Sequence, residues 1–261
     1  MSLRRDLAWT AATLLALLAW EASGLDLALI HHYGGEAGFA LRDHALLRDG
    51  VHEGGRWLSA ALLLALAVDL VRPLLPGPTG PARGERAWWL GATLGGIVLV
   101  PLLKRFSSTS CPWDVAGLGG SVPYVPHWLL QVADGGPGHC FPSGHAVAAF
   151  AFFSLHFLWR PWRPALARAL LAGVLIVGLV FAWGQMARGA HYASHSLWSA
   201  WLCWALNVAA AALRERLKPR ATLPTTHAWP TTATPQAPTA PSGATAVIAE
   251  PPQARRARSA G

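Results

Sequence analysis

Cys140-Phe141-Pro142-Ser143-Gly144-His145 is the stretch on which the reading of this 261-residue chain turns. Pro142 and Gly144 break the loop before them, and the apolar run from Ala146 then opens a helix. Backbone N–H groups at a helix start have no intrahelical acceptor, so those around Ser143 and Gly144 favour an anion in front of them. His145, just inside that start, is in position to give a proton to a leaving oxygen. A second histidine, His191, follows Gly189-Ala190 at the end of another apolar run. It is the candidate to attack or to deprotonate. An anion site flanked by two histidines implies phosphoryl chemistry.

The composition supplies the setting. Hydrophobic residues make up 53% and charged residues 13%, whereas a soluble domain carries about a quarter charged residues. The expected fold is therefore all-α: an integral membrane six-helix bundle with an extracytoplasmic active site. A spanning helix needs roughly 20 apolar residues. The candidate spans are Leu7 to Ile30, Trp57 to Val71, Trp88 to Leu103, Ala146 to Trp159, Leu166 to Met186 and Ser194 to Leu213. The domain is expected over 1–213. Residues 214–261, basic and rich in Pro, Thr and Ala, cannot bury a core and are expected to be a disordered cytoplasmic tail.

Fifteen of the 21 Lys and Arg residues fall before span one, between spans two and three, between spans four and five, and after span six. The remaining loops hold Arg42, Arg48, Arg56, Lys104, Arg105 and Arg188. The positive-inside rule then places both termini in the cytoplasm and His145 and His191 on the outer, periplasmic side of a bacterial inner membrane. Arg4 and Arg5 before an apolar run also fit a secretory signal, but the apolar character resumes through Leu25 to Ile30, which favours an uncleaved span. The net charge of +8 follows from this topology. It implies contact with membrane lipids and no nucleic-acid partner; it says nothing of oligomeric state. Glu21 and Asp69 sit near span ends and receive no role. The segment His52, Glu53, Gly54, Gly55 and Arg56 has two readings, a wall of the active-site mouth and, favoured over it, a solvated loop. Trp198, Trp201 and Trp204 read as packing or interface residues.

Cys111 and Cys140 share the long outer loop, an oxidising setting in this topology, where a disulfide and a pair of free thiols are the two readings. Cys203 is a small packing residue within span six.

Over about Trp57 to Leu213 the chain resembles the type 2 phosphatidic acid phosphatase and vanadium haloperoxidase superfamily in its six-span lipid-phosphatase form. Lys104 and Pro112 match the first family motif, Pro142-Ser143-Gly144-His145 the second, and His191 the histidine of the third. Cys111 replaces the first-motif Arg, Gly184-Gln185 the third-motif Ser-Arg, and His195 the third-motif Asp. The resemblance implies a cofactor-free hydrolase: His191 attacks phosphorus to form a phosphohistidine, and His145 protonates the leaving oxygen of a lipid phosphate or pyrophosphate. Lys104 with the backbone at Ser143 and Gly144 would hold the phosphate.

For the missing groups, Arg188 lies one helical turn beyond Gln185 and Arg105 adjoins Lys104, so both are candidate phosphate ligands. His195 is the candidate partner of His191, and Asp114 a candidate orienting carboxylate or a turn residue. Three other readings stand beside hydrolysis. One is transfer of phosphate to another lipid. Another is a metal site, His191 and His195 being at i, i+4 with His127, His139 and Asp114 nearby, although no complete metal signature is present. The last is a phosphate-binding protein that has kept the scaffold.

Overall fold

The structure, a computed structural model, describes residues 3–75, 80–129 and 132–217. Their regular elements are helices apart from a small hairpin, β1 (Gly34–Gly35) with β2 (Gly38–Phe39), and two isolated bridges. Four helices are long and apolar enough to cross a membrane: Leu46–Val71, Arg83–Arg105, Pro164–Ala187 and Ala193–Leu217. The expectation of six spans is thus met by four of full length, and the other two differ for local reasons.

The first expected span is divided at Gly24 into α1 (Leu3–Ser23) and α2 (Leu25–Ile30). Gly24 has φ 70°, a left-handed conformation that glycine adopts without a β-carbon penalty. Arg4, Arg5 and Asp6 at one end, with Glu21 and Asp26 at the other, dilute its apolar character. The expected Ala146–Trp159 span is a shorter apolar segment, Val147–Trp159. It consists of α5 (Val147–Phe150), a 3-10 turn at Ala151–Phe153 and α6 (Ser154–Trp159).

The helix expected from Trp57 starts earlier. A π-helical stretch, Leu46–Glu53, runs straight into α3 (Gly54–Val71), so His52 and Glu53 are on a helix and not in a solvated loop. The remaining long helices are α4 (Arg83–Arg105), α7 (Pro164–Ala187) and α8 (Ala193–Leu217). Because α8 continues to Leu217, Arg214 to Leu217 belong to the bundle. The expected disorder from residue 214 is corrected there, and the rest of the tail, from 218 on, lies outside the described residues.

Three acid–base pairs join helix ends on one side of the bundle. Asp6 at the start of α1 pairs with Arg160 after α6 at 2.5 Å; Asp69 near the end of α3 pairs with Arg86 in α4; Glu85 pairs with Arg214. Asp69 and Arg86 are both buried, a setting in which removing one partner leaves the other charge unsolvated. Along α8, three indoles hold α1: Trp198 donates to Glu21 at 2.7 Å, Trp201 to the Thr10 carbonyl at 3.0 Å and Trp204 to the Thr10 hydroxyl at 3.1 Å. The three-residue spacing places them along one side of the helix, and the ladder is therefore one of helix packing. By chain direction, the opposite end of the bundle gathers the end of α4, the start of α5, the end of α7 and the start of α8. All three motifs meet there.

Candidate active site

Each motif reaches this end through a different local device. Lys104 is in the last turn of α4. His191 arrives by a sharp helix stop: Arg188 caps α7, Gly189 turns left-handed at φ 75°, and Ala190 N–H bonds to Gln185 C=O at 2.8 Å while Gly189 N–H bonds to Met186 C=O at 2.9 Å. This pattern ends a helix and redirects the chain. A β-carbon at Gly189 would sit 2.4 Å from the Phe39 ring, so the position is limited to glycine by space as well as by φ.

Backbone hydrogen bonds then stitch the motifs together. His139 N–H bonds to Ser107 C=O and Cys140 N–H to Thr109 C=O, joining the first to the second. Trp113 N–H bonds to Gly189 C=O, joining the first to the third, and Ser143 N–H bonds to His195 C=O at 3.0 Å, joining the second to the third. Cys111 and Cys140 form a disulfide. A 29-residue separation corresponds to about 3 to 4 kcal/mol of lost freedom in the unfolded chain. Cys111→Ser with Cys140→Ser is expected to lower stability by that amount, measured by thermal unfolding against wild type in the same detergent.

Ser143 is committed to the scaffold. Its N–H is taken by His195, its carbonyl accepts from the Ser199 hydroxyl at 2.8 Å, and its hydroxyl accepts from Ala146 N–H at 3.4 Å. The anion donors expected around Ser143 and Gly144 are therefore reduced to the N–H groups of Gly144 and His145, which have no acceptor among the described residues. Lys104 lies over this turn, with Nζ 3.8 Å from where a β-carbon on Gly144 would stand.

His191 is buried. Its Nδ1 lies 3.4 Å from His195 Nδ1 and 3.5 Å from the Cys140 sulfur. Burial pushes the His191 imidazole well below its usual pKa, and the neighbouring Lys104, His145 and His52 act in the same direction. His145 donates from Nε2 to Val51 C=O at 3.2 Å and stacks on His52 with ring centroids 4.5 Å apart. Burial, reinforced by His52, brings its pKa down to about 4. Both histidines are thus neutral near pH 7.

The other expected ligands are distributed differently. Arg188 is half-buried, and its Nε donates to Arg42 C=O at 2.8 Å; its charge is felt by His145. Arg105 is exposed and borders a separate hollow with Gly135 and His139. Asp114 closes the 3-10 turn Pro112–Asp114, and its carbonyl accepts from Ser121 and Val122 N–H; among the described residues its carboxylate touches neither His191 nor His195. Gln185, at the family's Arg position, is buried with Nε2 unpartnered among the described residues.

His191, His195 and Cys140 present potential ligand atoms within 4.8 Å of one another. The Cys140 sulfur is in the disulfide and offers no thiolate, so this set reduces to two imidazoles that face each other. His139 and Asp114 are not in the group.

Sequence reasoning missed two carboxylates that pair with groups beside the motifs. Glu21 pairs with His127 at 3.0 Å, both buried, and His127 stacks on Phe141 at 3.8 Å. Asp26 accepts from Ser194 N–H at 3.0 Å and Trp20 Nε1 at 2.9 Å, satisfying the first turn of α8. Beyond Phe141 and Pro142 lies an apolar cavity of about 560 Å³, walled by Leu18, Leu103, Trp128 and Leu202 with the Glu21–His127 pair. None of His145, His191 or Lys104 lines it.

The family model of the PAP2 superfamily matches residues 86–219. The chain belongs to the PAP2 superfamily. No curated protein and no solved structure matches it. Members of the PAP2 superfamily are generally phosphatases acting on phosphate esters. The match contains Lys104, Pro112, the 142–145 motif and His191, whereas Glu21, Asp26 and His52 precede it.

Proposed function

We propose that the protein is a membrane phosphatase that removes phosphate from a lipid phosphate or pyrophosphate through a phosphohistidine at His191, on the extracytoplasmic face of a bacterial inner membrane. The observation that carries this reading is the state of His191: buried, neutral, and with Nδ1 engaged by His195. Nε2 is then the nitrogen left for phosphorus. Lys104, the Gly144 and His145 N–H groups and the Arg188 guanidinium neutralise the phosphate oxygens, with Gln185 as an added neutral donor. The apolar cavity beside Phe141 suits the hydrocarbon part of such a substrate.

Phosphate release by the purified protein, measured over phosphatidic acid, phosphatidylglycerol phosphate, a polyprenyl pyrophosphate and lipid A, tests the proposal. Turnover of at least one with inhibition by vanadate is expected. Vanadate binding without release from any of them would instead support a phosphate-binding protein.

Arg188→Ala is expected to cost about 2 to 4 kcal/mol in kcat/KM, the range for loss of one preorganised donor. Full activity in that variant would leave the oxygens to Lys104 and Gln185. The topology has its own check: a reporter active only outside the cytoplasm should be silent when fused after Pro81 or Arg220 and active near Gly120. The reverse pattern would place the site in the cytoplasm.

A further inference from the structure

Phosphorylating a neutral imidazole creates positive charge, and in this chain the usual acidic partner is a histidine. His191 Nδ1 faces His195 Nδ1 at 3.4 Å. On its other side His195 meets the ring of His127 edge-on, with centroids 5.4 Å apart. His127 Nε2 bonds to Glu21 Oε1 at 3.0 Å, and the Trp198 indole donates to the same oxygen at 2.7 Å. His195, His127 and Glu21 are all buried. A buried carboxylate is costly unless something balances it, and here the balancing group lies against the partner of the nucleophile.

We propose that Glu21, acting through His127 and His195, is the positioning carboxylate of this active site, replacing across the bundle the acid that is absent at residue 195. The inference rests on His191 being the nucleophile. As His191 Nε2 bonds to phosphorus, the phosphorus–oxygen bond breaks and its electron pair leaves with the oxygen, which takes a proton from the imidazolium form of His145, leaving that ring neutral. The Nδ1 proton of His191 moves to His195 Nδ1. The cation on His195 is stabilised by the Glu21 charge behind His127. When water cleaves the phosphorus–nitrogen bond, its proton goes to His145 and the His195 proton returns to His191.

Glu21→Gln removes the charge and keeps an oxygen acceptor for Trp198 and His127. It is expected to lower kcat by about ten- to a hundred-fold, as when a partner one step removed from the reacting group is lost, with KM changed less than about two-fold because the charge acts only as the cation forms. His195→Asp in the Glu21→Gln background should recover most of the lost kcat, since it returns a carboxylate directly to His191. Loss of packing at Glu21 would not be recovered in this way. Glu21→Asp, which retains the charge, provides a second measurement should the glutamine variant fail to fold, and is expected to keep kcat above that of a His127→Gln variant.

Wild-type kcat and phosphorylation rate in Glu21→Gln, or no recovery by His195→Asp, would overturn the relay. So would kcat in Glu21→Asp at or below that of His127→Gln. Rapid-quench labelling separates this from the parent reading: a wild-type phosphoenzyme at His191 with an unaffected Glu21→Gln variant defeats the relay alone, whereas no phosphoenzyme in the wild type defeats both.

Discussion

His191→Ala is expected to lose turnover by a factor on the order of 10⁴ or more, comparable to removing the nucleophile in other covalent mechanisms. The protein should still fold, because the backbone contacts that hold this loop, Trp113 N–H to Gly189 C=O and Ala190 N–H to Gln185 C=O, do not involve the imidazole. Rapid alkaline quench of a radiolabelled phosphate ester, conditions under which phosphohistidine survives, should trap label on wild type and none on the variant. Retained turnover would end the covalent mechanism and turn attention to direct attack by water. Helical content measured alongside distinguishes loss of chemistry from loss of fold.

The second large effect concerns His145 and carries a pH signature. With its pKa at about 4, the protonated fraction of free enzyme falls about tenfold for each pH unit above that value. Since the acid form is the one that gives the proton, kcat/KM for an alkyl or lipid phosphate should fall by about tenfold per unit from pH 5 to pH 7. His191, pushed by burial well below its ordinary pKa, is neutral at the upper end of this range. An aryl phosphate with an acidic phenol needs no proton on the leaving oxygen and should lack that slope. Its own phosphate ionisation is shared with the alkyl substrate, so the ratio of the two profiles isolates the acid.

His145→Ala should correspondingly reduce kcat/KM for the alkyl ester by about 10² to 10⁴ and leave the aryl ester much less affected, because kcat/KM ends at departure of the leaving group. Equal losses on both esters would remove His145 from the acid role. Besides burial, His52 and Arg188 lower this pKa, while the Val51 carbonyl and Glu53 raise it. His52→Ala should therefore move the profile towards higher pH.

The residues that sequence made legible are those whose meaning is local. The 142–145 motif, the helix stop before His191 and the apolar runs each depend on near neighbours, and the low charge content pointed to a membrane protein. The first span was misjudged in form because a length of apolar residues does not reveal a left-handed break at Gly24. Glu21, Asp26 and His127 were illegible as a group. Glu21 looked like a liability in an apolar segment, and its partners His127 and Trp198 lie far along the chain. His52 was ranked as loop before site for the same reason: its ring meets His145 only because the π-helical stretch carries it there. What signal existed was an acid in a span, which has to find a partner or remain costly.

The disulfide also bears on the order in which the protein can be made. Cys111 leaves the ribosome directly after α4, and Cys140 follows only after the whole intervening loop, with the rest of the active-site turn immediately behind it. Closure must therefore await delivery of both cysteines to one oxidising compartment, and the last two helices, which flank His191 and of which α8 carries His195, are synthesised later still. The bond can thus be in place as a finished edge against which α7 and α8 dock. Production in a reducing compartment would present those helices with an unfastened loop, making the redox state of the production host a determinant of how much of the chain reaches its working form.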